Sequence, residues 1–282
     1  MRISCAGRHG GFMLRDITLG QYYPADSVIH KLDPRVKLFA TLIYIISLFS
    51  FKGIAALLVA TAFLFGVIKL SKVPFSFMIK GLKAIMVLMI ITALFNLFLT
   101  PGETIVSFWI LKITKEGAQN AVLMAIRLTY LILGTSIMTL TTTPNQLTDG
   151  LEKSLMPLTK IGVPVHIIAM MMSIALRFIP ILIEETDKIM KAQMARGADF
   201  ESGNLIHKVK NMVPLLVPLF VSAFRRADDL AMAMEARCYH GGEGRTKMKP
   251  LKYNGTDRKA YVVIFAYLAV VLICRTVLPW PM

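Results

Sequence analysis

Long apolar runs alternate along the chain with short basic or Pro/Gly-bearing interruptions, and the spacing of those interruptions predicts its elements. From Leu38 to Ile68 nearly every position is apolar, broken only by Lys52-Gly53 and a few small polar residues. As one helix this run would reach about 46 Å, against a hydrocarbon core of about 30 Å, so it predicts two short spans turning at Lys52-Gly53. A third span is predicted over residues 85–99, a fourth over 121–140 and a last over 261–278, with Trp280 at the interface beyond it. Ahead of the first span, Asp33 precedes Pro34; aspartate is a favoured helix cap and proline a favoured first-turn residue, so a helix is expected to begin there.

Between the fourth and last spans the pattern changes. Residues 167–196 and 205–237 each read as one helix of roughly 45–50 Å, joined by a turn over 197–204. Arg177 and Pro180 interrupt the first run, and Pro214 and Pro218 the second. Both runs close on the same pattern, A-x-x-A-R and a small residue: Ala192-Gln193-Met194-Ala195-Arg196-Gly197, then Ala233-Met234-Glu235-Ala236-Arg237-Cys238, 41 residues on. Alanines three apart share a helix face and leave it bare, so a partner can approach the backbone beside the arginine. One copy alone is ordinary punctuation, an arginine in the last turn followed by a C′ glycine. Two copies point to two equivalent docking sites, and hence to a partner that comes as a pair.

Composition places these helices in a membrane. Of 282 residues 55% are hydrophobic, and the mean hydropathy is +0.61, far above a soluble domain. The fold class expected is all-α, a polytopic membrane protein with about five transmembrane helices plus long cytoplasmic helices. The net charge of +15 does not call for nucleic acid, because cytoplasmic loops of membrane proteins collect Lys and Arg. Six Lys or Arg precede the first span and four (Lys69, Lys72, Lys80, Lys83) separate the second from the third, while the alternate loops hold one or two. The N-terminus is therefore expected in the cytoplasm and the C-terminus outside, in a cell membrane. Residues 1–15 lack the apolar core of a signal peptide.

That orientation decides the central helices. If both crossed, their connection would carry Lys188, Lys191, Arg196, Lys208 and Lys210 to the outside, against the charge rule. They are expected to lie along or under the membrane instead. The division predicted is a lead-in over 1–36, four spans over 37–142, a cytoplasmic module over 143–258, and a last span with a short tail over 259–282. In the module, Met170, Met171, Met172 and Met212 form a candidate contact surface that can repack against different partners, and Pro180, Pro214 and Pro218 are candidate hinges.

Little catalytic chemistry is visible. No G-x-x-x-x-G-K-[ST] loop is present, and the region 241–247 does not meet its spacing. Cys5, Cys238 and Cys274 are scattered and the five histidines have no ligand spacing, so no metal or other cofactor is expected; the histidines are expected to be solvated or interfacial. Arg127 is the one charge deep in a predicted span, a polar bundle contact by default. Glu184, Glu185 and Asp187 are expected on a solvated face. A self-sufficient secondary transporter would need broken spans or ionisable groups at the midplane, and only Arg127 comes near.

The lead-in L-G-Q-Y, the stretch S-x-x-H-x-L-D-P-R-x-K over 27–37 and the two arginine motifs together resemble the transmembrane T component of energy-coupling factor transporters, the family that includes cobalt-transport membrane subunits. The resemblance implies a scaffold joining two cytoplasmic ABC ATPase subunits to one or more membrane-embedded S components that bind a vitamin or metal ion, with no catalysis of its own. By residue, it implies that Arg196 and Arg237 dock into the two ATPases, that Ala195, Gly197 and Ala236 permit close approach, and that the long helices are coupling helices. Cys238 departs from the usual glycine, and the backbone there must accept a Cβ.

Overall fold

A computed structural model describes residues 22–50, 54–101, 104–108, 111–198, 200, 205–241 and 250–277. The Lys52-Gly53 turn, the start of the L-G-Q-Y lead-in, most of the 197–204 connection and Trp280 lie outside the described residues. Among the described residues eight α-helices follow in order: α1 (Pro34–Ser50), α2 (Ile54–Ser71), α3 (Phe75–Leu99), α4 (Lys115–Thr141), α5 (Pro144–Leu155), α6 (Val165–Ala195), α7 (Leu205–Glu235) and α8 (Gly255–Val277). The chain is an all-α polytopic membrane protein. Among the described residues a short 3-10 turn, Met156–Ile161, follows α5, and a small antiparallel hairpin lies between α3 and α4, β1 (Thr104–Phe108) with β2 (Leu111–Thr114).

By length and composition α4 and α6 can each cross a membrane, and α3 can be a third span although it bends by 59° between Phe75–Lys83 and Ile85–Leu99. The apolar part of α2, Ala55–Ser71, is shorter, and α1 has 17 residues, just under the ~20 that a perpendicular crossing takes. The helices α4 and α8 begin several residues before the apolar runs that predict them because their first turns are polar and capped, and α3 begins at Phe75 because its first turns lie before Lys80 and Lys83, which break the apolar run. Thr114 caps α4 by accepting the Gly117 N–H at 3.1 Å.

The chain divides into two compact units: one holds the described residues of 20–157 and 248–282, the other those of 158–247. The core of the first gathers Tyr44 and Leu48 from α1, Ala56, Ala60 and Leu64 from α2, Leu133 and Ile137 from α4, and Tyr267 and Val271 from α8. Small residues on α2 allow close helix approach where lipid offers no hydrophobic drive to pack. Polar contacts then fix the register: the Tyr267 and Ser47 hydroxyls meet at 2.8 Å, and Tyr267 stacks on Phe63 at 4.2 Å. Arg127 of α4 lies over the Phe49 ring at 5.9 Å, a cation–π contact within the bundle.

The D-P-R-x-K stretch closes one end of this unit. Asp33 caps α1 by accepting the Arg35 N–H at 2.9 Å, as its position before Pro34 leads one to expect. Its own N–H donates to Asp257 Oδ1 at 2.9 Å, while Asp257 Oδ2 accepts the Asn254 N–H at 2.7 Å and so caps α8. Lys37 is buried, and its ammonium donates to the carbonyls of Thr141 at 2.8 Å and His30 at 3.3 Å. His30 is not a solvated histidine: Nε2–H donates to the Tyr23 carbonyl at 2.9 Å, leaving Nδ1 to accept from the Ser27 hydroxyl at 2.6 Å. The S-x-x-H-x-L-D-P-R-x-K stretch is thus a buried fastening of α1 to the ends of α4 and α8. α5, behind a Thr143–Gln146 capping box, packs on the start of α1, where a Cβ added to Gly150 would meet Pro34 at 2.9 Å.

Candidate functional site: the paired arginine caps

The second unit is built on α6 and α7, each 31 residues and each unbroken through its prolines. Glu185 of α6 accepts from the Ser222 hydroxyl and from Arg226 at 2.9 Å on α7. The solvated-face expectation therefore fails for Glu185, which pairs across the helices; it holds for Glu184, which is exposed. Nearer the end of α6, Gln193 reaches the Pro214 carbonyl on α7. Residue 185 opposite 222 and 226, with 193 opposite 214, makes the pair antiparallel. Arg196 and Arg237 then stand toward opposite ends, separated by roughly 40 Å measured along α7.

The two motifs fold alike. At the end of α6, the N–H of Gly197 donates to the Met194 carbonyl and that of Ala198 to the Gln193 carbonyl, both at 3.0 Å, and Gly197 has φ +87°. At the end of α7, the N–H of Cys238 donates to Glu235 at 2.8 Å and that of Tyr239 to Met234 at 3.1 Å, and Cys238 has φ +56°. Both are Schellman caps in the same register: the arginine is the last half-helical residue and the small residue takes the left-handed position. Cys238 adopts the glycine conformation in spite of its Cβ.

This geometry separates the two meanings of the arginines. The last carbonyls are met by backbone N–H groups, so the guanidinium groups are not needed as caps. Among the described residues neither Arg196 nor Arg237 forms an ion pair, and Ala195, Arg196, Gly197, Ala236, Arg237 and Cys238 are all exposed. Each motif presents five unspent donors above a bare alanine face, suited to planar or anionic acceptors on a second surface.

The apolar surface of the pair is wider than its methionines. Met171, Met172 and Met212 are exposed and Met170 is half-buried. Beside Met212, the side chains of Val213, Val217, Phe220 and Phe224 are also exposed, and they recur at spacings of four, three and four on α7. That periodicity is legible in the sequence as one helix face, but the two prolines within it read there only as interruptions. Pro180, Pro214 and Pro218 lie inside the helices.

Comparison with known proteins identifies the family. The family described as CbiQ, cobalt transport protein, matches residues 25–248. The chain is 58% identical over 271 residues to the energy-coupling factor transporter transmembrane protein EcfT of Clostridium kluyveri, covering 94% of this chain and 97% of the relative. It is 51% identical to the protein of the same description from Thermosediminibacter oceani over 88% of this chain and 94% of the relative. For that of Bacillus subtilis the figures are 47%, 93% and 100%.

Proposed function

Because the chain belongs to the cobalt transport protein (CbiQ) family, we propose that it is the membrane scaffold of an energy-coupling factor type importer. It passes ATP-driven movement from two cytoplasmic ABC ATPase subunits to a membrane-embedded S component carrying a vitamin or metal ion. The observation that carries this is the pair of exposed Schellman caps, alike in register and each presenting an unpaired arginine. A partner that offers the same groove twice fits two knobs of like shape at opposite ends of one helix pair.

In this reading Arg196 and Arg237 dock into the ATPases, and Ala195, Gly197, Ala236 and Cys238 keep the surroundings shallow. Closure of the ATPases on ATP moves the two helix ends relative to each other. Pro180, Pro214 and Pro218 each remove an intrahelical hydrogen bond and make α6 and α7 yield at those turns. A shift at the ends becomes a tilt of the apolar surface around Met171, Met172, Met212 and Phe220, against which the S component sits. α6 is apolar enough to cross the bilayer, but the basic residues of the α6–α7 connection favour a position at the cytoplasmic face, with the N-terminus on the same side.

The test is Arg196→Glu, Arg237→Glu and the double variant, with co-purification of the ATPase pair and solute uptake as readouts. Each single variant weakens ATPase association and the double abolishes it together with uptake, while helix content and melting stay at wild-type values because both side chains are exposed. Wild-type association and uptake by the double variant would falsify the docking role.

A further inference from the structure

The spanning unit also carries a feature that the scaffold reading does not use. The first turns of α1 and α8 and the last turns of α2 and α4 meet at one end, tied by the Asp33–Asp257 and Lys37–Thr141 hydrogen bonds. Running inward from that end, between these four helices, is a partly open cavity of about 300 Å³. Its lining is almost wholly apolar, with Tyr44, Phe63, Leu64 and Val263 among the walls, and the charged side chains that border it are Lys37 and Lys259.

An apolar space of this size does not hold water well, since a cavity of about 150 Å³ lined by hydrocarbon stays dry and takes up benzene. In a bilayer the apolar species always at hand is the acyl chain. At the rim, Lys37 spends two of its three N–H donors on carbonyls, and Lys259 is exposed on the facing helix. Asp33 pairs with Arg35 at 3.6 Å, and the carboxylate of Asp257 offsets Lys37, so the positive charge left open to a headgroup at this end is that of the exposed Lys259. A basic rim over an apolar sleeve between membrane helices matches an anionic headgroup over a chain.

We propose that this cavity holds one acyl chain of an anionic membrane phospholipid, with the headgroup against Lys259 and the third N–H of Lys37. Such a lipid fills the space between these four helices beside the Tyr44–Phe63–Tyr267 core, and so stiffens their packing. The inference needs only the membrane character of the chain and stands apart from the scaffold reading.

Native mass spectrometry of the purified full chain, titrated with phosphatidylglycerol or with phosphatidylcholine of the same chains, tests it. One phosphatidylglycerol is expected to stay bound, favoured over phosphatidylcholine by about fivefold, the discrimination expected of one surface cation. Ala40→Phe and Ala260→Phe, which fill the cavity from two different helices, lose the retained lipid, and Lys259→Gln keeps a lipid but loses the headgroup preference. Equal retention of the two lipids by the wild-type chain, or wild-type retention by either folded filled variant, overturns the proposal. Should both filled variants fail to fold, the wild-type comparison of the two lipids still decides it.

Discussion

The Gln193 side chain donates to the carbonyl of Pro214 at 3.3 Å. Pro218 has no N–H, so the carbonyl four residues before it, that of Pro214, has no partner within α7. A residue of the first arginine motif therefore completes the hydrogen bonding of a proline turn on the opposite helix. The end that bears Arg196 is linked by a side chain to the place where α7 is most easily bent.

Replacing Gln193 by Leu should separate assembly from transport. The contact is exposed and water can take the vacated carbonyl, so the stability loss stays below about 1 kcal/mol, and ATPase association, which the proposed docking assigns to the arginines, persists. Uptake driven by ATP falls severalfold, because movement at the end of α6 is no longer passed directly to the turn at Pro214. Parallel co-purification and uptake assays check this; an equal fall in both would place Gln193 in docking instead.

Cys238 tests the second cap. A non-glycine residue in the left-handed region carries a cost of roughly 1–2 kcal/mol, so Cys238→Gly stabilises the end of α7 by about 1 kcal/mol and Gly197→Ala destabilises the end of α6 by a similar amount. Limited proteolysis just beyond each helix reads the change locally: cleavage near Tyr239 slows in the first variant and cleavage near Ala198 quickens in the second.

Asp257 is 1% exposed and serves two backbone donors at once. Asp257→Ala leaves the N–H groups of Asp33 and Asn254 without their acceptor and costs about 2 kcal/mol. The expected outcome is a clear drop in the melting temperature of the purified chain in detergent. Lys259→Ala, whose side chain is exposed on the same turn, serves as a control and melts close to wild type.

His30 gives the lead-in a pH dependence. Burial holds its imidazole below the usual value of 6.5, opposed by the hydrogen bond to the Tyr23 carbonyl, and Lys37 lowers it further. The unfolded lead-in thus takes up a proton more readily than the folded one. The stability it contributes is whole above pH 6.5 and is lost as the pH falls through the lower folded value. Hydrogen exchange of the Ser27–Lys37 segment should quicken below that window in the wild type and show no such step in His30→Gln.

Much of the molecule was legible from the pattern of residues. Apolar runs fixed where α1–α4 and α8 lie, Asp33-Pro34 marked the start of α1, and the doubled A-x-x-A-R motif marked the ends of α6 and α7, because periodicity, capping and chain reversal are local properties written in neighbouring residues. The family, too, followed from short motifs whose identities survive without any coordinates. What sequence left open was decided by groups brought together from far along the chain. Glu185 reads as a solvated charge until α7 supplies Ser222 and Arg226. His30 and Asp257 read as ordinary polar residues until the ends of α1 and α8 meet. Whether Arg196 and Arg237 cap their helices or face outward depended on backbone hydrogen bonds that only a left-handed Gly197 and Cys238 allow. Local sequence sets which conformations are cheap; which polar group satisfies which is a property of the packed fold, where each buried donor must find its acceptor across the chain.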